Sequence, residues 1–412
     1  MRHFITLLLC VTLALANVMV VFSHREEPCP ILTPAPKPSC PEVKDIDEKF
    51  DLWRSGTCLR GANIWQKRIK PEDLMGEGAV GPPYKQEDFF KLAALGANYV
   101  NISHPGIFAE KPDARGNYYE QEGVYANLKK LIEMCRIANL FVVVSYRTGP
   151  ERSEGVFDKD EKPLYKDIWK NKDAREAWAR MWGVTAARLR SEGAVIGYDL
   201  MVEPGLEREG GTHRKTWNKF AELMRARIRR TDGGNDQTTP ILIGTAGASA
   251  VESLNHKVPP ADDRTVYTVH QYVPYEYAQA EAGRPIVPYP GGLSKMPSDL
   301  QELFNQVANF KREHPNVPIA VNEFGAVRYA PRAECYVGLQ MELVERLGIS
   351  HALWLWETSF PLNYDQFNFR FGPDPINHGE VETSPLMETI KLNWANNRKD
   401  LPLLIEKFTR LS

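Results

Sequence analysis

Residues 140–146 read LFVVVSY, a run with no polar residue until Ser145. A strand buried on one face alternates apolar and polar; one that is apolar throughout belongs inside a sheet covered on both sides, as in parallel sheets flanked by helices. Amphipathic stretches at 122–138 and 173–191 flank this run, and another apolar run, AVIGYDLM at 194–201, follows. The alternation continues in both directions, with strands at 57–64 (TCLRGANI), 97–103 (ANYVNIS), 240–245 (PILIGT), 265–270 (TVYTVH), 317–323 (VPIAVNE) and 350–356 (SHALWLW). Further helical stretches lie at 86–95, 213–230, 249–254, 298–313, 333–347 and 384–396. Eight βα units predict a closed (β/α)8 TIM barrel, one α/β domain over 48–412 with enlarged βα loops. A doubly wound open sheet is the alternative, weakened because no G-x-G-x-x-G follows the first strand.

Residues 1–25 stand outside this pattern. Arg2 and His3 precede an apolar run over 4–22, and Ser23, His24 and Arg25 end it. The run is long for an export signal and just reaches the roughly 20 residues that span a bilayer, so a cleaved signal and an uncleaved membrane tether both fit. Either places the folded part outside the cytoplasm, secreted or anchored. Residues 26–47 include PCPILTPAPKPSCP and read as a semi-rigid Pro-rich linker. Cys29 and Cys40 bracket it and are placed to close a small disulfide loop, while Cys58, Cys135 and Cys335 fall within elements and read as buried and inert. Neither a catalytic thiol, a metal cluster nor a cofactor is expected.

With 51 Lys+Arg against 53 Asp+Glu, the net charge of −2 gives no field to hold a polyphosphate backbone, so nucleic acid is not an expected partner. The chemistry is sought instead at the C-terminal strand ends, where such barrels carry their sites. Two carboxylates stand there, Glu203 in DLMVEPG after strand four and Glu323 in AVNEFG on strand seven. An unpaired carboxylate at the end of an apolar run costs several kcal/mol to desolvate, and two facing each other suit glycosidic bond cleavage. A separation of roughly 5 to 5.5 Å permits retention, and about 6.5 to 9.5 Å permits inversion.

Glu203 in V-E-P and Glu323 in N-E-F-G resemble the two catalytic positions of glycoside hydrolase family 5, the cellulase-like family. His270-Gln271-Tyr272 resembles the family's His-x-Tyr, Gly61-Ala62-Asn63 its strand-one Gly-x-Asn, and Trp354 its strand-eight Trp. The resemblance covers roughly residues 57–358 and implies a retaining β-glycosidase, with Glu203 as acid/base and Glu323 as nucleophile. The acid then needs a raised pKa, for which the charge of Glu323 is the expected cause, and the nucleophile needs donors, for which Tyr272 and Arg147 are candidates.

Three positions depart from the family pattern. Val202 stands where an Asn normally precedes the acid/base, strand two ends in Asn101, Ser103 and His104 without the usual Arg, and strand three ends in Ser145, Tyr146 and Arg147. Arg147 is the candidate to replace the missing charge, with Asn101 or His104 taking hydroxyl contacts; the alternative is an Arg147 salt bridge to Glu151 or Glu154. Trp354 and Trp65 are expected as sugar platforms, with Trp356 pointing the same way as Trp354 by strand alternation and Tyr275, Tyr277, Phe367 and Phe369 in mouth loops. The partner is thus a β-linked glycan or glycoside. A carbohydrate-binding barrel without catalysis and a transglycosylase using the same glutamates are the alternatives.

Overall fold

The computed structural model describes residues 27–54, 56–68, 80–81, 83–152, 167–205, 210–255, 262–280, 287–358 and 366–411. The apolar head lies outside them. As the repeat predicts, eight parallel strands close into a barrel: β1 (Arg60–Trp65), β2 (Tyr99–Pro105), β3 (Phe141–Thr148), β4 (Val195–Asp199), β5 (Ile241–Gly244), β6 (Thr265–Gln271), β7 (Ile319–Phe324) and β8 (His351–Leu353). Around it lie α1 (Gln86–Ala94), α2 (Glu122–Ile137), α3 (Lys172–Leu189), α4 (Gly210–Arg229), α5 (Met296–Glu313), α6 (Ala333–Leu347) and α7 (Pro385–Trp394). Between β5 and β6 the described residues make a 3-10 turn, Val251–Asn255, where the sequence predicts a helix. A final helix, α8 (Leu401–Leu411), follows.

Local sequence sets the boundaries. Asn171 caps α3 by accepting from the Ala174 amide at 3.1 Å, Ser384 does the same for α7 through Met387, and Gly348 ends α6 in the left-handed conformation at φ 61°. Every residue of β3 is buried, consistent with its unbroken apolar run. Two strands end sooner than the apolar runs suggest, β4 at Asp199 and β8 at Leu353, so Glu203 and Trp354 sit on the loops beyond them.

Strand alternation sorts side chains into layers inside the barrel. Tyr99, Val143, Leu242, Val266, Ala320 and Ala352 form an apolar floor, packed from below by Phe50, Trp53, Leu404 and Phe408. Above it, Asn63, Asn101, Ser145, Asp199 and Asn322 form a polar layer that binds itself together: Asn101 Nδ2 donates to Asn63 Oδ1 at 2.7 Å, Asn63 Nδ2 to the Asn322 carbonyl at 2.8 Å, and Asn322 Nδ2 to Asp199 Oδ2 at 2.7 Å. The functional residues stand on this layer.

The Pro-rich segment is fastened to the barrel wall and is not a free spacer. Cys29 pairs with Cys335 on α6, and Cys40 pairs with Cys58 before β1, which corrects the expected Cys29–Cys40 loop. An extended Pro-rich chain advances about 3.1 Å per residue, so its two ends stand on the order of 30 Å apart, far beyond disulfide reach. The barrel supplies the partners instead, at Cα separations of 5.1 and 4.9 Å. Lys37 pairs with Glu342, and Arg346 holds the Thr33 carbonyl. Cys58 and Cys335 are therefore structural bridges, while Cys135 is the buried free thiol that the sequence suggests.

Candidate active site

Glu323 reaches the mouth through a bulge. In β7 the alternation that turns Ala320 and Asn322 inward would turn the next residue outward. The pairing of β7 with β6 slips there, so that Val269 opposes Val321 and His270 opposes Glu323. The extra residue re-aims the strand, and both Asn322 and Glu323 face the barrel interior. Glu203 arrives differently, four residues past the end of β4 with φ 48°, a left-handed conformation that costs a non-glycine residue about 1–2 kcal/mol. Its carbonyl is held by Arg152 Nη2 at 3.1 Å, and Arg152 Nη1 also grips the Arg147 carbonyl at 3.0 Å.

The two carboxylates converge on one imidazole. His270 Nδ1 lies 3.0 Å from Glu203 Oε1 and 3.3 Å from Glu323 Oε2. One oxygen of each glutamate and the ring nitrogen all lie within 4.8 Å of one another. Glu323 is 3% exposed, so its charge needs donors. Arg147 Nη2 donates to its Oε1 at 2.8 Å, and the Tyr272 hydroxyl donates to its Oε2 at 3.2 Å. Arg147 is fixed in turn: its Nε donates to Ser103 Oγ at 2.8 Å, and its guanidinium lies 4.8 Å from the Trp354 ring centre and 5.4 Å from that of Trp65. Glu151 accepts from the Tyr118 hydroxyl, and Glu154 lies outside the described residues.

The protonation pattern differs from the expectation that Glu323 raises Glu203. Burial pushes the Glu203 carboxyl up, but the His270 hydrogen bond and the charges of His270, Arg147 and Arg152 outweigh it and hold the group below its ordinary value. His270 moves the other way. Burial pushes the ring down, and Glu323, Glu203 and Asp199 together raise it. The two shifts favour a proton on the imidazole over one on Glu203, one hydrogen bond away.

Not every expected residue stands at the mouth. Asn101 is in the polar layer beneath it, 1% exposed, with its amide spent on Asn63. His104 is turned out of the barrel, because Tyr99, Asn101 and Ser103 take the inward positions of β2; its ring contacts Asn127 of α2 at 3.0 Å. Neither is placed to touch a substrate hydroxyl. Trp65 and Trp354 do stand together, ring centres 5.9 Å apart, with the Lys67 ammonium 4.2 Å over Trp65. Trp356 does not share the direction of Trp354, since β8 has already ended; its indole donates to the Asp88 carbonyl and packs under Arg370. Tyr277 and Phe369 are core residues, Phe367 packs on Tyr272, and Tyr275 remains exposed. Val202 is 1% exposed and offers no polar group.

Two contributors escaped the sequence reading. Arg152 gives no sign in sequence, being one charge in a loop. Asp199 did leave a signal, a carboxylate closing the apolar run of β4 just as Glu323 closes that of β7. It is 2% exposed, and burial lifts its carboxyl to about 6 against the pull of His270, Ser145, Asn322 and Arg147. Glu203, His270 and Glu323 are near enough to converge on a cation. Arg147 already sits on Glu323 and the imidazole bridges both acids, a donor set arranged to hold protons and an attacking oxygen.

The sequence over residues 67–359 matches the family model for cellulase, glycosyl hydrolase family 5. Among curated proteins, the chain is 24% identical over 298 residues to endoglucanase B of Neocallimastix patriciarum, covering 69% of this chain and 57% of that one. It is 24% identical over 312 residues to endoglucanase A of Clostridium longisporum, covering 72% and 53%. The chain thus spans about half the length of the curated relatives it matches. Among solved structures, endoglucanase Cel5A from Thermotoga maritima superposes with a TM-score of 0.62 at 20% identity, covering 83% of this chain and 99% of that one. The cellulose synthase subunit Z from Clostridioides difficile gives 0.59 at 18%, covering 81% and 99%. These likenesses bear on the barrel fold.

Proposed function

The chain belongs to glycosyl hydrolase family 5, the cellulase family, and on that premise we propose that it cleaves β-linked glycans with retention, through Glu203 and Glu323. The observation that carries this reading is that one oxygen of Glu203 and one of Glu323 lie within 4.8 Å of each other, nearer the spacing of retaining than of inverting enzymes. Glu323 attacks the anomeric carbon while Glu203, supplied with a proton by His270, protonates the departing oxygen. The resulting glycosyl ester is opened by a water that gives its hydroxyl to the anomeric carbon, freeing the Glu323 carboxylate, and its proton to Glu203, from which it passes back to His270. Arg147 and Tyr272 hold the nucleophile ionised and aimed, and Trp354, with Trp65 beside it, offers an aromatic wall for the apolar face of a sugar.

The named activity of the relatives favours a β-glucan of the cellulose type as substrate. Export is favoured by the apolar run at 4–22 together with two disulfides, which persist in oxidising compartments. Among the described residues no helix is long and apolar enough to cross a membrane.

The test is a panel of aryl β-glycosides and β-glucan, mannan and xylan polysaccharides, with mass analysis after exposure to a 2-deoxy-2-fluoro-β-glycoside. The expected result is hydrolysis of at least one β-glucan and a covalent adduct on the peptide bearing Glu323. Persisting activity in Glu323→Gln without an added nucleophile would overturn the assignment.

A further inference from the structure

Beneath the paired glutamates lies an acidic group that neither reacting role uses. Asp199 ends β4, four residues before Glu203, with its side chain in the polar layer. Its Oδ2 accepts from Asn322 Nδ2 at 2.7 Å and faces Ser145 Oγ at 3.4 Å. Asn322 is the residue before Glu323, and its backbone carbonyl takes Asn63 Nδ2 at 2.8 Å. Asp199 is thus tied to β7 directly and, through Asn322, to β1. A buried carboxylate placed for structure alone is ordinarily neutralised by a cation, as Asp88 is by Arg370 in this molecule. Asp199 is instead held by the Asn322 amide, which orients a negative charge without cancelling it, while the Ser145 hydroxyl 3.4 Å away lies closer to Asn101 Oδ1, at 2.5 Å.

We infer that Asp199 is a positioning residue for the reaction: its buried carboxylate fixes Asn322, and with it the bulge that aims Glu323, and supplies the negative charge that keeps a proton on the His270–Glu203 pair. This rests on the double-displacement reading of the same site. His270 Nδ1 lies 3.0 Å from Glu203 beyond β4 and 3.3 Å from Glu323 on β7, the charge of Asp199 on β4 also acts on the ring, and Arg147 on β3 and Tyr272 meet it through Glu323. Asp199 is the acidic member of this set with no part in bond making, so above about pH 6, where it is ionised, its charge biases the pair while Glu203 and Glu323 change state. The Oδ1 of Asn322 is buried without a hydrogen-bond partner, and a protonated Asp199 would find its acceptor there once the amide turned over. The ionised and neutral forms of Asp199 therefore each have a partner in Asn322. Burial places the change between them at about 6.

The test is Asp199→Asn, which keeps an acceptor for Asn322 and removes the charge, compared with Ser145→Ala, which removes a hydroxyl and keeps it. Histidine ring signals are followed by NMR across pH in the folded full chain, and kcat/KM is measured over the same range. The expected result is a fall in the His270 titration midpoint by about one pH unit in Asp199→Asn, with the basic limb of kcat/KM moving down by a similar amount. Ser145→Ala should move neither. An unmoved His270 midpoint in a folded Asp199→Asn protein overturns the inference, as does an activity loss uniform across pH. Because the ring titration needs no turnover, a shifted midpoint in a protein that hydrolyses no glycoside would sink the functional reading, and with it the positioning role, while leaving the effect of the Asp199 charge on His270 intact. Should Asp199→Asn fail to fold, Asp199→Glu carries the test. It retains the charge, so it should keep the wild-type His270 midpoint while lowering kcat through misplacement of Asn322; a displaced midpoint would refute the inference.

Discussion

Replacing Arg147 by Met tests the electrostatic frame of the site most directly. The side chain makes two charged hydrogen bonds, Nη2 to Glu323 and Nε to Ser103, and its guanidinium lies near two indoles. Met fills much of the volume and removes the charge. A hydrogen bond to a charged group contributes about 1.5–3 kcal/mol, and tenfold in rate corresponds to about 1.4 kcal/mol, so kcat/KM should fall about 10- to 150-fold. Ionised Glu323 would also lose its cation, so the acidic limb of the pH profile should move upward by about one unit. Breaking a buried ion pair costs about 3–5 kcal/mol of stability, which thermal unfolding would register. Arg147→Lys keeps a charge but can reach only one of two partners that a guanidinium holds together, so its activity should fall between the two. The assay is hydrolysis of an aryl β-cellobioside from pH 4 to 9, with unfolding followed in parallel. A Met variant within twofold of wild type and with both limbs unmoved would refute the role given to Arg147.

Two further outcomes follow from buried features away from the mouth. His351 opens β8 and is held down to about 3 by burial and by the charge of Arg60. Its folded value lies below the ordinary 6.5, so the unfolded chain binds the extra proton and stability is lost as pH falls below about 6.5; between pH 7 and 5 the loss is about 2 kcal/mol. His351→Phe should flatten that part of a urea-unfolding series against pH, and an unchanged slope would refute the account. Replacing Cys29 and Cys335 by Ser should cost about 3 kcal/mol, near 4 °C in Tm for a chain of this size, while Glu323 keeps its activity; an unchanged Tm would show that the strap adds nothing.

The barrel was legible because parallel strands covered on both faces leave apolar runs that few other arrangements produce, as at 140–146. Glu203 and Glu323 were legible for the opposite reason, as charges where such runs end. What the sequence hid was set by geometry beyond a single strand. Simple alternation turns Glu323 outward, and only the bulge against β6 brings it in. The same alternation takes His104 away from the mouth, since the register against β3 slips only after it. Trp356 parts from Trp354 because β8 is shorter than its apolar run. Asp199 was passed over since it lies one layer below the mouth, where its contacts are with other strands and not with neighbours in sequence. The upward pull on His270 comes from three acidic groups on two strands and a loop, a sum that no single segment records.

The two disulfides differ most in when they can form. Cys40 and Cys58 are 18 positions apart, whereas Cys29 and Cys335 are 306 apart. In a chain exported N-terminus first, as proposed above, Cys29, Cys40 and Cys58 would meet an oxidant long before Cys335 has been synthesised. Neighbours pair first, and of the three pairings then open only Cys40 with Cys58 is native. Cys29 must then wait as a thiol, or be freed from a wrong partner by exchange, until α6 has packed between α5 and α7. Its closure is therefore a late event that depends on most of the barrel having assembled. In a mixture of oxidised molecules, the presence of that one bond marks those that folded to completion.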